Sequence, residues 1–478
     1  MNDAPTHTHD ALDDREPMDL SPKATRLLLA LVAAAFFMQT LDSTIVNTAV
    51  PPIAQALAVT PLSLKTALTA YVLTLAVCIP ASPWLADRFG TRRVFAISIS
   101  VFTLGSLACG LAQDLPQLVA ARVLQGMGGA LLMPVGRYVL VRSFSRREFV
   151  SAMSMVAIPG LLGPVLGPVL GGFLSEYVSW RLIFLINLPV GLLGLWLNRR
   201  AMPDIRGPRR PFDFAGFILF AVASVLLMTA AENASSGYSG LRVAILAVAG
   251  IVFAAVYIAH SRRTPHPVTE IALLRRRTFA IAVGGGLFMR LATGGMSFLL
   301  VLFLQVGCGW SPFRAGLILV PQAVGMIAMK PLIDRALTRF GYRRVLFTNT
   351  LLVSVLLACF ALFDRGTPAV AIGALVFVYG FVMSLQYTSM NTLAYIDLES
   401  SRAAQASSLM SSTQYLSVSF GIALSSLLMA AFVNQQHVAD SYVGAFRFTV
   451  LILSMFIFVA AFIFRRLRDD RHPDVRST

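Results

Sequence analysis

Pro83-Trp84-Leu85-Ala86-Asp87-Arg88-Phe89-Gly90-Thr91-Arg92-Arg93-Val94 is a charged island between two long apolar runs, and it returns later in the chain. Arg88-Phe89-Gly90-Thr91-Arg92-Arg93-Val94 reappears, 251 positions on, as Arg339-Phe340-Gly341-Tyr342-Arg343-Arg344-Val345, with six of seven residues identical. The flanks keep the same offset. Met38 meets Met289, Pro80 meets Pro331, and Arg26, just before the first apolar run, meets Arg277. Internal duplication of a membrane unit is a common way to build a transporter. The two copies therefore predict a duplicated membrane protein.

Composition agrees. The 478 residues are 56% hydrophobic and 13% charged, with a mean hydropathy of +0.73, and a soluble fold with so little polar surface could not cover its core. The net charge of +16 does not imply a nucleic-acid partner, because the arginines sit in short clusters between apolar runs, as in cytoplasmic loops. Cys78, Cys109, Cys308 and Cys359 show no C-x-x-C spacing, so neither a disulfide framework nor a metal site is indicated. Residues 1–26 begin acidic and polar, without the basic start and apolar core of a signal peptide. They read as a disordered cytoplasmic arm.

A membrane span needs roughly 20 apolar residues. Fourteen are expected, near 27–49, 64–84, 94–112, 116–140, 150–174, 181–200, 214–231, 241–259, 279–305, 314–332, 345–363, 368–395, 404–432 and 445–466. An even number puts both ends on one side. Lys and Arg concentrate in the tails and alternate loops, which marks that side as cytoplasmic. The duplication maps spans 1–4 onto 9–12, so two six-helix halves are expected at 27–200 and 279–466. Residues 201–278 are then an inserted two-helix linker, and 467–478 a cytoplasmic tail.

With the spans in place, the chain resembles the major facilitator superfamily, in particular its 14-spanner drug:proton antiporters of the EmrB/QacA-like type. Five motifs carry the likeness: Leu41-Asp42-Ser43-Thr44-Ile45-Val46-Asn47, the Asp87–Arg93 loop, Arg122-Val123-Leu124-Gln125-Gly126, the run from Gly163 to Gly172, and Trp180-Arg181-Leu182-Ile183-Phe184-Leu185-Ile186-Asn187. The resemblance implies an all-α major facilitator fold in a bacterial cytoplasmic membrane, and proton-coupled efflux of amphipathic small molecules. The partners it implies are that cargo, protons and lipid, and it admits a periplasmic adaptor protein. The proton is the coupling ion, and no other cofactor is expected. Two residues depart from the family's loop motif: Pro83 stands where glycine is usual, and Thr91 replaces a basic residue. Those changes bear on gating by that loop.

The residues themselves point to the same chemistry. At about 1.5 Å per residue, Asp42 lies roughly 22 Å in from the tail side of span 1. Arg122 lies roughly 9 Å in from the opposite side of span 4, which in a core about 30 Å thick brings the two to nearly one depth. A charge there costs several kcal/mol unless it is paired or wet. An aspartate that exchanges a proton beside an arginine that favours its ionised form makes a proton switch, and the resemblance links both residues to proton coupling. The plainer alternative is a static ion pair. Arg290 lies roughly 17 Å into span 9, with Gln39 as its repeat partner in span 1. Both are expected to line a cargo cavity at the midplane, where a fixed positive charge favours anionic or zwitterionic molecules. Gln386, Tyr387, Asn391, Gln414 and Tyr415 are further polar candidates for it, though such residues often only join helices.

Span 5 carries Gly163, Gly167 and Gly171 on one face, with Pro164 and Pro168 bending the helix and Gly172 closing the run. The resemblance ties this run to antiport, as a seal or pivot. Asp87, Arg88, Gly90, Arg92 and Arg93, echoed by Asp334, Arg339, Gly341, Arg343 and Arg344, are expected to latch the tail-side face. Trp180 and Arg181 sit where interfacial residues are expected, and their motif suggests no chemistry. An enzyme is not indicated, because no nucleophile–base set or phosphate loop stands out. The other readings are a dedicated metabolite carrier on the same scaffold and a non-transporting membrane receptor.

Overall fold

The computed structural model describes residues 21–208, 211–398, 403–433 and 440–467. Among the described residues all regular structure is helical. Among the described residues, thirteen stretches are long and apolar enough to cross a membrane, and one of them, Pro312–Leu362, is 51 residues long. A straight helix of that length would extend about 75 Å, far beyond a bilayer. Gly341 breaks it, with φ +75° and ψ 158°. The described residues therefore make fourteen crossings: α1 (Pro22–Thr48), α2 (Pro61–Phe89), α3 (Thr91–Leu111), α4 (Leu115–Ser143), α5 (Arg146–Tyr177), α6 (Leu182–Ala201), α7 (Phe214–Ser235), α8 (Gly240–Arg263), α9 (Arg277–Gly307), α10 (312–340), α11 (342–362), α12 (Ala369–Tyr395), α13 (Ala403–Val433) and α14 (Asp440–Arg465).

The duplication is visible in the backbone. Gly90 separates α2 from α3 with φ +88°, and its repeat partner Gly341 separates α10 from α11 with φ +75°. Left-handed backbone at both joints is cheap only for glycine. The first helix starts earlier than expected: Pro22 occupies the first turn and the Ser21 side chain caps it, accepting from the Ala24 N–H at 3.3 Å. Residues 22–26 of the expected arm are thus helix, while 1–20 lie outside the described residues, as does 468–478 of the expected tail.

Within the first half α1 packs on α5, α3 on α4, and α2 on α4; in the second, α10 and α11 pack on α12 and α14. The halves meet along two seams, α2 against α13 and α5 against the start of α10. One core cluster crosses between them, joining Leu41, Ile45, Val50 and Leu118 to Phe298, Leu302 and Ile422. Hydrogen bonds join the halves at the end of the bundle away from the tails. Gln305 Nε2 donates to the Thr48 carbonyl at 2.9 Å, the Phe313 N–H to Glu176 Oε2 at 2.8 Å, and Ser419 Oγ to the Thr69 carbonyl at 3.3 Å. These bonds and the shared core cluster tie the two halves together on that side.

The inserted helices lie outside the twelve. α7 packs in the groove between α2 and α13. α8 packs on α7 and exposes Leu241, Ile245, Val248, Ile251, Val252 and Val256, an apolar face suited to lipid.

Candidate functional site

Asp42 is fully buried on α1, and the elements around it deliver donors. Arg122 Nη1, from α4, donates to Asp42 Oδ2 at 2.6 Å. Gln125 Nε2, one turn further along α4, donates to Asp42 Oδ1 at 2.7 Å, and Asn187 Nδ2 from α6 reaches the same oxygen at 3.3 Å. Gln125 also takes a bond from Arg122 Nη1 at 2.6 Å and gives one to Ser106 Oγ at 2.6 Å. The Tyr71 ring of α2 covers the guanidinium, 4.0 Å from its carbon to the ring centroid. Asp42 is 0% and Arg122 1% exposed. Buried charges persist only when paired and hydrogen-bonded, and here four helices of one half supply the partners.

The structure brings Asp42 and Arg122 together, as their matched depths lead one to expect. The rest of the network is not evident from depth. Gln125 stands three residues after Arg122 in a quoted motif, and that spacing could have placed it on the same helix face. Asn187 closes the Trp180–Asn187 motif, to which the sequence assigns no chemistry. The structure corrects that reading, since the asparagine amide binds the carboxylate. Ser106 and Tyr71 carry no signal in the sequence.

The α1 helix turns its opposite face to α5, where Gly163, Gly167 and Gly171 let the two backbones close. A Cβ at Gly163 would lie 2.7 Å from the Leu41 nitrogen, and one at Gly167 would run into Thr44 Oγ1. A Cβ at Gly171 would lie 2.5 Å from Thr48 Oγ1. Gly172 points elsewhere, against Phe313 of the second half. Pro164 and Pro168 lie inside the same helix, and the Pro168 carbonyl packs against Gly316 of α10.

A second polar group lies in the other half. Arg290 on α9 is 7% exposed. Its guanidinium carbon stands 4.9 Å from the centroid of the Tyr387 ring on α12. The Tyr387 hydroxyl shares a 2.8 Å hydrogen bond with Thr293 Oγ1 of α9. One turn on, Asn391 Oδ1 accepts from Gln414 Nε2 of α13 at 2.9 Å. Tyr387, Asn391 and Gln414 are half-buried. Among the described residues Arg290 has no carboxylate partner and no side-chain hydrogen bond. Gln39, its repeat partner, is 3% exposed, lies beside the Tyr415 hydroxyl, and leaves its Oε1 without a hydrogen-bond partner among the described residues. Gln386 is drawn elsewhere. It accepts from Asn349 Nδ2 at 2.9 Å and donates to Thr350 Oγ1 at 2.8 Å, fully buried between α11 and α12. It joins helices rather than lining a cavity, because both ends of its amide are satisfied there.

The two loop copies have diverged. In the first, Thr91 Oγ1 donates to the Pro203 carbonyl at 2.6 Å and accepts from the Ile205 N–H at 3.0 Å, while the Thr91 N–H reaches the Ile205 carbonyl at 3.0 Å. Arg92 Nε donates to the Met202 carbonyl at 2.6 Å. Asp87 accepts from the Tyr138 hydroxyl at 2.9 Å and packs against Gly207, with Gly90 against Asp204. Arg88 and Arg93 are exposed. The segment that leads to the inserted helices is thereby bound to the first copy. In the second copy, Asp334, Arg339, Gly341 and Arg344 are exposed and Arg343 is half-buried.

Comparison with known proteins gives the family. Residues 32–422 match the Major Facilitator Superfamily. The chain belongs to the major facilitator superfamily. It is 41% identical over 457 residues to the "Putative multidrug resistance protein MdtD" of Escherichia fergusonii, covering 95% of this chain and 97% of that one. The protein of the same name from Citrobacter koseri is 41% identical over 456 residues, with the same coverage. Solved structures share the fold at low identity. A bacterial homolog of the human lysosomal transporter Spinster, inward-facing, gives a TM-score of 0.67 at 16% identity over 93% of this chain and 97% of that one. A D-xylose–proton symporter gives 0.68 at 15% over 94% and 98%. As a major facilitator protein this chain is a multi-pass membrane transporter, not an enzyme. Its buried Asp42 network belongs to one half, its Arg290 corner to the other.

The inserted pair adds a polar cluster that the sequence does not reveal, because hydropathy ends span 7 at residue 231. Glu232 Oε1 accepts from Thr69 Oγ1 of α2 at 2.5 Å, and the buried Lys65 ammonium of α2 donates to Ser235 Oγ. Ser419 of α13 touches the same place, at the Thr69 carbonyl and the Met228 sulfur.

Proposed function

We propose that this transporter exports amphipathic small molecules in exchange for protons by alternating access, with both tails in the cytoplasm of a bacterial cell and the distal end facing out. The observation that carries the reading is Asp42, a carboxylate buried at depth whose charge is met by Arg122. A proton arriving on Asp42 removes the charge that holds Arg122, Gln125 and Asn187 in place, so proton binding and the packing of α1, α4 and α6 are one event. On the other face of α1 the glycine contacts with α5 transmit any movement of α1 to the helix that seals against α10. The bonds that tie the halves together away from the tails support loading of cargo from the side of the tails. The name of the MdtD relatives, multidrug resistance protein, supports drug-like cargo.

The test uses everted membrane vesicles energised by respiration, with norfloxacin, a fluorescent amphipathic zwitterion, as cargo. Asp42→Asn should abolish proton-driven norfloxacin uptake while leaving the protein in the membrane and leaving norfloxacin exchange down its own gradient. An Asp42→Asn variant that accumulates norfloxacin like wild type would move proton coupling elsewhere.

A further inference from the structure

Arg290 has no role in the proton site: it lies in the other half, on α9. A guanidinium within a membrane span is expensive unless a counter-charge or water compensates it. Arg122 shows how this chain meets that cost, with a carboxylate, a glutamine and an aromatic ring. Arg290 has only the last of these. The Tyr387 ring face stabilises the cation from one side, and Gly286 packs against Nη1, where a Cβ would come within 2.8 Å. Among the described residues no anion completes the set. Thr293 and Tyr387 are its polar neighbours, and Asn391, one turn from Tyr387 on α12, carries the bond to Gln414 of α13; Tyr387, Asn391 and Gln414 are half-buried. Three helices of one half thus bring polar groups to the region of a fixed positive charge whose planar donors suit a carboxylate in two-point contact.

We propose that Arg290 is the cargo-binding residue that selects molecules bearing a carboxylate, with Tyr387 holding the guanidinium in place and the Asn391–Gln414 pair bonding the polar part of the cargo next to it. This rests on the transporter reading above, and it names the cargo class that the site takes: amphipathic organic anions, or zwitterions that present their carboxylate first. A permanently cationic cargo meets like charge in a poorly screened place and is disfavoured there. The division of labour follows the duplication. In the first half the buried arginine is neutralised by the protein's own aspartate, and in the second the cargo supplies the anion.

Binding to purified protein in lipid nanodiscs, followed by calorimetry, separates this from proton coupling. The probes are 1-naphthylacetate and 1-naphthylmethylammonium, alike in size and opposite in charge. Wild type should bind the carboxylate more tightly. Arg290→Gln should weaken the carboxylate by about tenfold or more, the loss expected for a charge-assisted bond, and should leave the ammonium probe unchanged or tighter, which also shows that the variant is folded. Arg290→Lys should retain part of the preference, because the charge remains without the planar fork. Asp42→Asn should keep the wild-type preference even though it loses pumping. Equal carboxylate affinity in wild type and Arg290→Gln, or a wild type that favours the ammonium probe, would overturn the proposal while leaving the proton reading intact.

Discussion

Gly167→Ala adds one methyl group in the middle of the glycine face between α1 and α5, and its effect can be worked from the contacts. The new Cβ would run into Thr44 Oγ1 and would lie 3.0 Å from Thr44 Cβ and 3.1 Å from the Ile45 nitrogen. Thr44 cannot swing aside freely: it is β-branched, and its hydroxyl donates to the Thr40 carbonyl at 3.0 Å and the Leu41 carbonyl at 3.1 Å. Two of the three crowding atoms are therefore backbone or one bond from it. The helices must part by several tenths of an ångström, and overpacking of that kind costs about 1–3 kcal/mol. Leucine at the same position exceeds what the interface can absorb and should stop transport without changing topology. The assay is thermal unfolding of purified protein together with norfloxacin uptake in everted vesicles. Alanine should lower both, and adding Thr44→Ala should restore stability, since that change removes the hydroxyl that obstructs the methyl group. Wild-type stability and transport in Gly167→Ala, or no recovery in the double variant, would refute the idea that α1 and α5 move as one packed pair.

Three further outcomes follow. Reporter fusions at Ser21 should read as cytoplasmic and one after Gly237 as external; the reverse result would invert the assignment of sides. Thr91→Val keeps the size but removes the hydroxyl that bonds Pro203 and Ile205, so it should expose the 202–208 segment to protease, at a stability cost of about 1 kcal/mol per bond lost; unchanged cleavage would show that the backbone bond at Ile205 suffices. Glu232→Ala removes the bond that ties α7 to Thr69, whose hydroxyl keeps only the Thr66 carbonyl at 3.2 Å, and leaves Lys65 without a nearby carboxylate; it should destabilise the protein measurably in thermal unfolding, whereas Glu232→Gln, which can still accept from Thr69, should cost less. Equal losses in the two variants would assign the effect to charge rather than to the hydrogen bond.

The sequence made the architecture legible because hydrophobic runs and a repeated charged loop are long-range patterns that survive without any knowledge of contacts. Gly341 shows this well: helix-forming residues surround it, and only its place in the repeat marks the break between two crossings. Asp42 and Arg122 could be paired from depth alone, since two charges inside one bilayer have few places to go. Neutral polar residues have no such constraint. Gln386 and Gln414 look alike in the sequence, and which face of its helix each occupies decides that one joins α11 to α12 while the other meets Asn391 beside Arg290. Asn187 is hidden for the same reason, and Glu232 because the end of a helix is set by capping and packing more than by hydropathy.

The inserted helix α7 has a consequence for how a lipophilic molecule reaches the transporter. Bundles of this kind have two flanks where their halves meet, and a compound dissolved in the bilayer can approach the centre from either. Here α7 occupies the groove between α2 and α13, and Glu232 bonds it to Thr69 of α2, so that flank presents a wall to the membrane. The opposite flank runs along α5, whose Met155, Ile158, Leu162, Leu166 and Phe173 remain exposed. Any approach to the centre from the leaflet is thereby one-handed, past the same helix whose glycines pack against α1, which bears Asp42.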